Sequence, residues 1–304
     1  MKKTIKSIYE AIPLKPVLLM TLKQVWTPHE RIYRHLHFRA PFDVNLPGGG
    51  RMRVNHYGNQ VENDLFWAGF GNGWEATSLL IWLRLAKRAG TIMDIGANTG
   101  IYALAARAVN PLADVIALEP VARTFERLRR NIELNSFDIA AMCLAASDRD
   151  GTAVIYDPLS EHQYSASLEQ GMLNGKSEVS IVEIEVRRAD AILANREQND
   201  PVLVKIDAER HERQVLKGFG QRIRELRPAF LIELLDRKIG GDVRNFFEGL
   251  NYLYYEIHEG ECLRQTDDLG GAQRNYLFCP RETARELKLG AVVEHRSLMG
   301  GMHS

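Results

Sequence analysis

Two short stretches concentrate the residues capable of chemistry. The first, Asp94-Ile95-Gly96-Ala97-Asn98-Thr99-Gly100, ends an apolar run and passes at once into Ile101-Tyr102-Ala103-Leu104. Glycines let a backbone turn tightly and approach a ligand, and the free amides that open a helix favour an anionic group. About twenty residues beyond Gly100 stands Glu119, ending a second apolar run over 114–118, where a carboxylate can accept both hydroxyls of a ribose. That spacing describes a nucleoside-containing ligand. A pyrophosphate calls for Gly-x-Gly-x-x-Gly, but here the pattern is Gly-x-x-x-Gly, with Asn98 between the glycines and Asp94 before them. A cationic sulfonium without a pyrophosphate suits this acidic loop better than a nicotinamide dinucleotide does.

The second stretch is Asp207-Ala208-Glu209-Arg210-His211-Glu212, which follows the apolar run 201–206. Methyl transfer from a sulfonium is an in-line displacement, so placing the acceptor and excluding water supply much of the catalysis. An alcohol acceptor must also lose a proton, and a positioned base contributes about 10² to 10⁴-fold. Asp207, Glu209 and His211 are the candidates, His211 because an ordinary imidazole titrates near 6.5. The plainer reading has Asp207 capping the next helix while Glu209 and Glu212 decorate its first turn. The same cluster could hold a divalent cation that orients a substrate diol, although no metal ligand set is assigned. Glu233, ending the run 230–235, is a further candidate for acceptor contact.

These residues need a scaffold that brings strand ends together. Apolar strand-like runs at 91–95, 114–119, 139–144, 201–207 and 229–235 alternate with helical patterns near 100–109, 121–135, 209–218 and 241–249, and two more strands fall near 252–257 and 275–279. Such alternation predicts an α/β fold, doubly wound and mainly parallel, with ligands outside the carboxyl ends of its strands. Residues 73–280 form this domain. Alternating runs at 153–156 and 179–186 predict a hairpin inserted over 152–200, and the polar stretch 159–178 between them is a candidate lid. Residues 1–72 form an accessory segment with a helical start and a β-hairpin at 42–46 and 51–57, turned by Pro47-Gly48-Gly49-Gly50. Residues 281–304 read as a tail.

Composition narrows the function classes. With 45% apolar residues and a net charge of zero, the chain can build a core but presents no global field toward nucleic acid or anionic lipid. Cys143, Cys262 and Cys279 show no Cys-x-x-Cys pair and no zinc spacing, as expected of thiols in a reducing cytoplasm. The start carries Lys2 and Lys3 but no continuous apolar core of an export signal, and no run approaches the roughly 20 apolar residues of an integral membrane segment. A cytoplasmic enzyme is expected, with a small-molecule or glycan acceptor, no nucleic-acid partner and no specified oligomeric state. Arg31, Arg34, His35, His37 and Arg39 make a local basic patch that reads as a solvated face.

The order of the motifs resembles the FkbM family of methyltransferases. The likeness runs from the 94–100 loop through Leu118-Glu119-Pro120, Arg130-Asn131, Asn135 and Ala145-Ala146-Ser147-Asp148 with Gly151. It continues through Arg188-Ala189-Asp190, the 204–212 segment, Pro228, Glu233 and Asn275-Tyr276-Leu277-Phe278, covering about residues 75–280. The resemblance implies a Rossmann-like methyltransferase sheet with an antiparallel last strand and S-adenosyl-L-methionine as methyl donor. Asp94, Gly96, Asn98 and Gly100, with Ala97, would then line the methionine part. Glu119 beside Pro120 would take the ribose, and Asp148 beside Ser147 the adenine amino group. It also implies O-methylation of a hydroxyl on a sugar, glycan precursor or secondary metabolite. Methylation of nucleic acid or protein, and a cofactor-binding module without catalysis, are the alternatives. The family pattern at 207–212 usually runs Asp-Val-Glu-Gly-His-Glu, whereas this chain has Arg210 at the glycine, so the turn must be reachable by a long cationic residue.

Overall fold

A computed structural model describes residues 14–158, 179–194, 200–271 and 273–300. The candidate lid over 159–178 lies outside the described residues. Helix α1 (Lys15–Val25) and the single turn α2 (Glu30–Tyr33) lead into a hairpin of β1 (Pro41–Asn45) and β2 (Arg51–Asn55), followed by α3 (Gln60–Trp67) and α4 (Ala76–Ala86). The alternating part comprises β3 (Thr91–Ile95), α5 (Ile101–Val109), β4 (Asp114–Leu118), α6 (Ala122–Asn135) and β5 (Ile139–Met142). An inserted unit follows, with β6 (Ala145–Ser147), β7 (Gly151–Pro158), β8 (Val179–Arg188) and α7 (Ala189–Ile192). The chain then returns through β9 (Val202–Ile206), α8 (Glu212–Phe219), α9 (Arg222–Leu226), β10 (Ala229–Leu234) and α10 (Arg237–Arg244). It ends in β11 (Tyr252–His258), β12 (Cys262–Gln265), β13 (Arg274–Pro280), α11 (Arg281–Glu286), β14 (Val292–Glu294) and α12 (His295–Gly300).

The main sheet has nine strands in the order β14-β12-β11-β13-β10-β9-β3-β4-β5. From β10 to β5 every pairing is parallel, and β13 enters antiparallel between β10 and β11, as expected for this fold class. Strands β3 and β9 are buried at every position, which is why they read as unbroken apolar runs rather than alternating ones. One face packs on α4 and α5, with Trp82 donating its indole N–H to the Tyr102 carbonyl at 3.0 Å; the other packs on α8 and α10. Chain order diverges from β3, toward β4 on one side and β9 on the other, and that switch point is where a doubly wound sheet opens a ligand crevice.

Three expectations are adjusted. The helix read at 241–249 begins earlier, because the Asp236 carboxylate caps α10 by accepting the Ile239 N–H at 3.0 Å. Residues read as a tail extend the sheet instead: β14 pairs with β12, and Leu298 in α12 is fully buried in the core. The predicted strand 139–144 is shorter, since β5 ends at Met142, and the next strand, β6, leaves the main sheet to pair with β8. Among the described residues no helix is long and apolar enough to cross a membrane.

The accessory hairpin is fastened to the domain by two asparagines of α6. Asn135 accepts the Arg53 N–H at 2.6 Å and donates to the Arg53 carbonyl at 2.7 Å, so its amide mimics a neighbouring strand. Asn131, fully buried, accepts the Asn55 N–H at 2.9 Å and donates to the Thr99 carbonyl at 2.8 Å, joining the hairpin to the 94–100 loop. Losing Asn131 strands buried partners, so Asn131→Ala is expected to cost about 1–3 kcal/mol in urea unfolding, more than Asn135→Ala at the surface. An Asn131→Ala protein as stable as the parent would show that the junction holds nothing.

Candidate active site

The 94–100 loop turns where glycine geometry is needed. Gly96 sits at φ 76°, and a Cβ there would lie 1.9 Å from the Asp207 carbonyl oxygen, so the loop after β3 and the segment after β9 are in backbone contact. The Asp207 N–H closes this contact on the Ile95 carbonyl at 3.0 Å. Gly100, at φ 92°, serves packing, because a Cβ would meet Leu128 of α6 at 2.5 Å. Asp94 lies beneath the loop, where its Oδ2 accepts the Ala103 N–H at 3.0 Å and so caps α5. Burial pushes it up to about 6 although the Lys205 ammonium opposes the shift.

Glu119 is held at the loop's edge. Its Oε2 accepts the Asn98 N–H at 3.0 Å, and its Oε1 accepts the Val121 N–H at 2.9 Å. Burial raises it to about 7, against those two amides. The loop also receives a residue from the accessory segment: Thr99 Oγ1 donates to Glu62 of α3 at 3.4 Å, and burial pushes Glu62 up to about 7.

A cavity of about 250 Å³ opens at the switch point, walled by Gly96, Asn98, Glu119 and Pro120 on the β3–β4 side and by Asp207, Glu209, His211 and Glu233 on the β9–β10 side. Trp74 and Glu75 complete it from the segment before α4. Lys205 Nζ, buried, donates to Asp207 Oδ2 at 2.9 Å, so Asp207 answers a buried cation rather than capping α8. Glu233 is raised to about 8 by burial and by the nearby Asp207 charge, and it accepts from Gln273 Nε2 at 3.2 Å. Glu75 is raised to about 7, mainly by burial, and accepts the Tyr102 hydroxyl. Glu212 stays structural, with Oε1 accepting the Arg210 N–H at 3.1 Å.

The remaining predicted residues are held by other partners or lie off the main cavity. His211 Nε2 contacts Ser147 Oγ at 3.0 Å, and burial pushes the imidazole down to about 4, well below the value that made it attractive as a base. Ser147 lines a neighbouring cavity of about 270 Å³ with Arg149, Glu209, Arg210 and His211. Asp148 is claimed by Lys217 Nζ at 2.7 Å and is not among the residues lining the main cavity. Ala97 is buried behind the loop. Trp74 and Glu75 escaped the sequence reading because a Trp-Glu pair opening an apolar helix looks like an ordinary helix start. Among the described residues no group of three or more His, Cys, Asp or Glu is arranged to hold a metal ion.

Residues 94–254 match the methyltransferase FkbM domain, more than half of the chain, and the protein belongs to the FkbM methyltransferase family. Methyltransferase 1 of Beauveria bassiana is 26% identical over 162 residues, covering 48% of this chain and 65% of that protein. Hexuronic acid methyltransferase AglP of Haloferax volcanii is 25% identical over 178 residues, covering 59% of this chain and 60% of that protein. The chain therefore spans under two thirds of the length of either relative. Among solved structures, methyltransferase FkbM from Methylobacillus flagellatus aligns at 18% identity and a TM-score of 0.39, over 63% of this chain and 44% of that one.

The raised carboxylates give stability a definite pH dependence. Glu62, Glu75 and Glu119 at about 7 and Glu233 at about 8 hold protons that the unfolded chain, with ordinary glutamates at 4.5, releases. Their stabilising effect is complete below about pH 4.5 and is lost as pH rises through 7 to 8. Tm should fall between pH 6 and pH 8.5, and Glu119→Gln should flatten the dependence by up to about 1.4 kcal/mol per pH unit. A Tm that rises over that window would contradict the burial of these groups.

Proposed function

We propose that the protein uses S-adenosyl-L-methionine to methylate a hydroxyl of a sugar, glycan precursor or secondary metabolite. The observation that carries this reading is one cavity joining a ribose-type carboxylate, Glu119, to a cation-held carboxylate, Asp207, across the switch point. The residues suit the donor. Asn98 Oδ1 is buried without a hydrogen-bond partner, an acceptor that an ammonium or hydroxyl donor would satisfy, and the acidic wall favours positive charge. Bound there, S-adenosyl-L-methionine supplies an electrophilic methyl group on a sulfonium.

The chain's own residues do the rest. Glu119 keeps lone pairs beyond the two amides it accepts, and these take the ribose hydroxyl donors. Lys205 donates to Asp207 Oδ2 and Glu233 shares a hydrogen bond with the same side chain, and the carboxylate so held accepts the proton of the acceptor hydroxyl. His211, neutral and pushed down to about 4, is the weaker base and acts by lining the pocket. The likeness to a hexuronic acid methyltransferase supports a sugar as the acceptor.

Calorimetry with S-adenosylhomocysteine tests the donor half. Charge-assisted hydrogen bonds of about 1.5–3 kcal/mol imply that Glu119→Gln weakens binding roughly 10- to 100-fold. Asp207→Asn should leave that affinity within a few-fold while slowing turnover by about 10² to 10⁴. Binding indifferent to Glu119, or full turnover without the Asp207 carboxylate, refutes the corresponding half.

A further inference from the structure

Helix α1 turns its apolar side outward. Leu14 at its N-cap, with Val17, Leu18, Thr21 and Val25, follows the spacing of one helix face, and that face carries no charge. Leu14, Val17, Leu18 and Val25 are between 56% and 83% exposed. The opposite side rests on the core through the buried Leu19. The helix's two lysines, Lys15 and Lys23, are half-buried toward that side, Lys23 with its ammonium 4.6 Å from the Phe66 ring of α3. A surface helix ordinarily does the reverse, with charges outward and apolar residues inward. Exposed apolar residues scattered singly need no explanation. Here, however, six of the eleven large ones among the described residues fall between Leu14 and Ile32, Trp26 among them. Charge is as unevenly spread. Residues 1–40 contain eight lysines and arginines against two glutamates, although the whole chain is neutral. Arg31 and Arg34 are exposed on either side of the exposed Ile32.

We propose that this face docks on an anionic membrane surface, the apolar side chains of α1 entering the headgroup boundary while the surrounding cations meet lipid phosphates. With eleven residues α1 is about 16 Å long, roughly half the thickness of a hydrocarbon core, so it lies on a bilayer rather than crossing it. Trp26, at the helix's C-cap, has the amphipathic ring that settles at headgroup depth. Charge complementarity selects the occupant. Two copies of the chain meeting through this face would bring two basic segments together, whereas acidic lipid relieves that charge. A short aliphatic contact is weak by itself and exposed cations are screened, so the two acting together give reversible, salt-sensitive attachment. Phe66 belongs to α3, and Val61 of the same helix lines the main cavity, so the docked helix bears on the candidate active site through one element. This segment precedes the family-matched span 94–254.

The test mixes the full chain with vesicles of phosphatidylcholine, or of phosphatidylcholine and phosphatidylglycerol in equal parts. Attachment is read by sedimentation, and insertion by quenching of tryptophan fluorescence with bromine-labelled acyl chains. The mixed vesicles should bind at least about ten-fold more tightly than the neutral ones, and added salt should weaken them. Leu18→Asp combined with Val25→Asp should cut binding by about ten-fold or more at an unchanged melting temperature, because both side chains face solvent. Arg31→Glu combined with Arg34→Glu should cut it by about five-fold or more. Quenching should fall sharply in Trp26→Phe, since Trp67 and Trp82 are buried. Equal binding to both vesicles, binding to neither, affinity unmoved by either pair of substitutions, or quenching that persists in Trp26→Phe overturns the proposal. So does light scattering that shows a dimer split by Leu18→Asp, or a marked drop in melting temperature in the aspartate pair, because protein would then cover the face.

Discussion

The Lys205 ammonium, buried near the carboxyl end of β9, dictates the arrangement around it. A bare ion in that position would cost several kcal/mol, so the fold must surround it with acids. Burial alone would pull the group toward neutrality, but Asp207, Asp94 and Glu75 together more than offset this and leave it more firmly protonated than an ordinary lysine. The Tyr102 ring lies 4.8 Å from Nζ and adds its π face. Asp94 is the parallel-strand partner of Lys205, so the acid beneath the glycine loop and the acid that follows β9 answer to one cation. Because Lys205 is spent on these groups, it shapes the cavity without adding its charge to the lining.

That constraint explains why the ends of β3 and β9 share a wall. Gly96 lets the 94–100 loop press against the Asp207 backbone, which brings the two strand ends together with no side chain between them. The accessory segment then braces the loop from outside, through Asn131 on the Thr99 carbonyl and Glu62 near the Thr99 hydroxyl. The hairpin is thus part of the site's support rather than a separate module. Its sequence gives no hint of this, since a Gly-rich turn between two alternating runs specifies a hairpin but not where it docks.

Legibility along the chain follows burial. Strands β3 and β9, covered on both faces, announce themselves as apolar runs, and the glycine loop and Glu119 could be read because strand ends in this fold class are where ligands lie. Strands β12 and β14, at the far end of the sheet, are short and have half or more of their residues exposed, and they leave no such signature. Helix α10 starts ahead of the expected range 241–249, and two adjacent glycines, Gly240 and Gly241, mask its first turns. Gly240 is instead inside the helix, where the Leu269 carbonyl comes within 2.4 Å of the place a Cβ would take. Ser147 and Asp148 follow the third strand in chain order, but β6 turns out of the main sheet and delivers Asp148 to Lys217. Glu75 was hidden because its role depends on contacts with Tyr102 and Lys205, far away in sequence.

Arg210 shows how the family's glycine position tolerates a long side chain. It adopts a left-handed backbone at φ 79°, directly after Glu209 at φ 48°, a conformation that glycine takes more readily. A non-glycine residue there carries a strain of order 1 kcal/mol or more. The arginine offers compensation that glycine cannot, for its Nη1 donates to Asp236 Oδ2 at 2.9 Å, and Asp236 also caps α10 through the Ile239 N–H. Since the bridge is about a third exposed at each end, its net contribution is small, and its consequence is geometric rather than energetic. It ties the turn after β9 to the segment after β10, the two strands whose ends carry Asp207 and Glu233. A strained turn that would otherwise be free to relax is strapped to its neighbour, and the spacing of Asp207 and Glu233 across the cavity wall is held from behind.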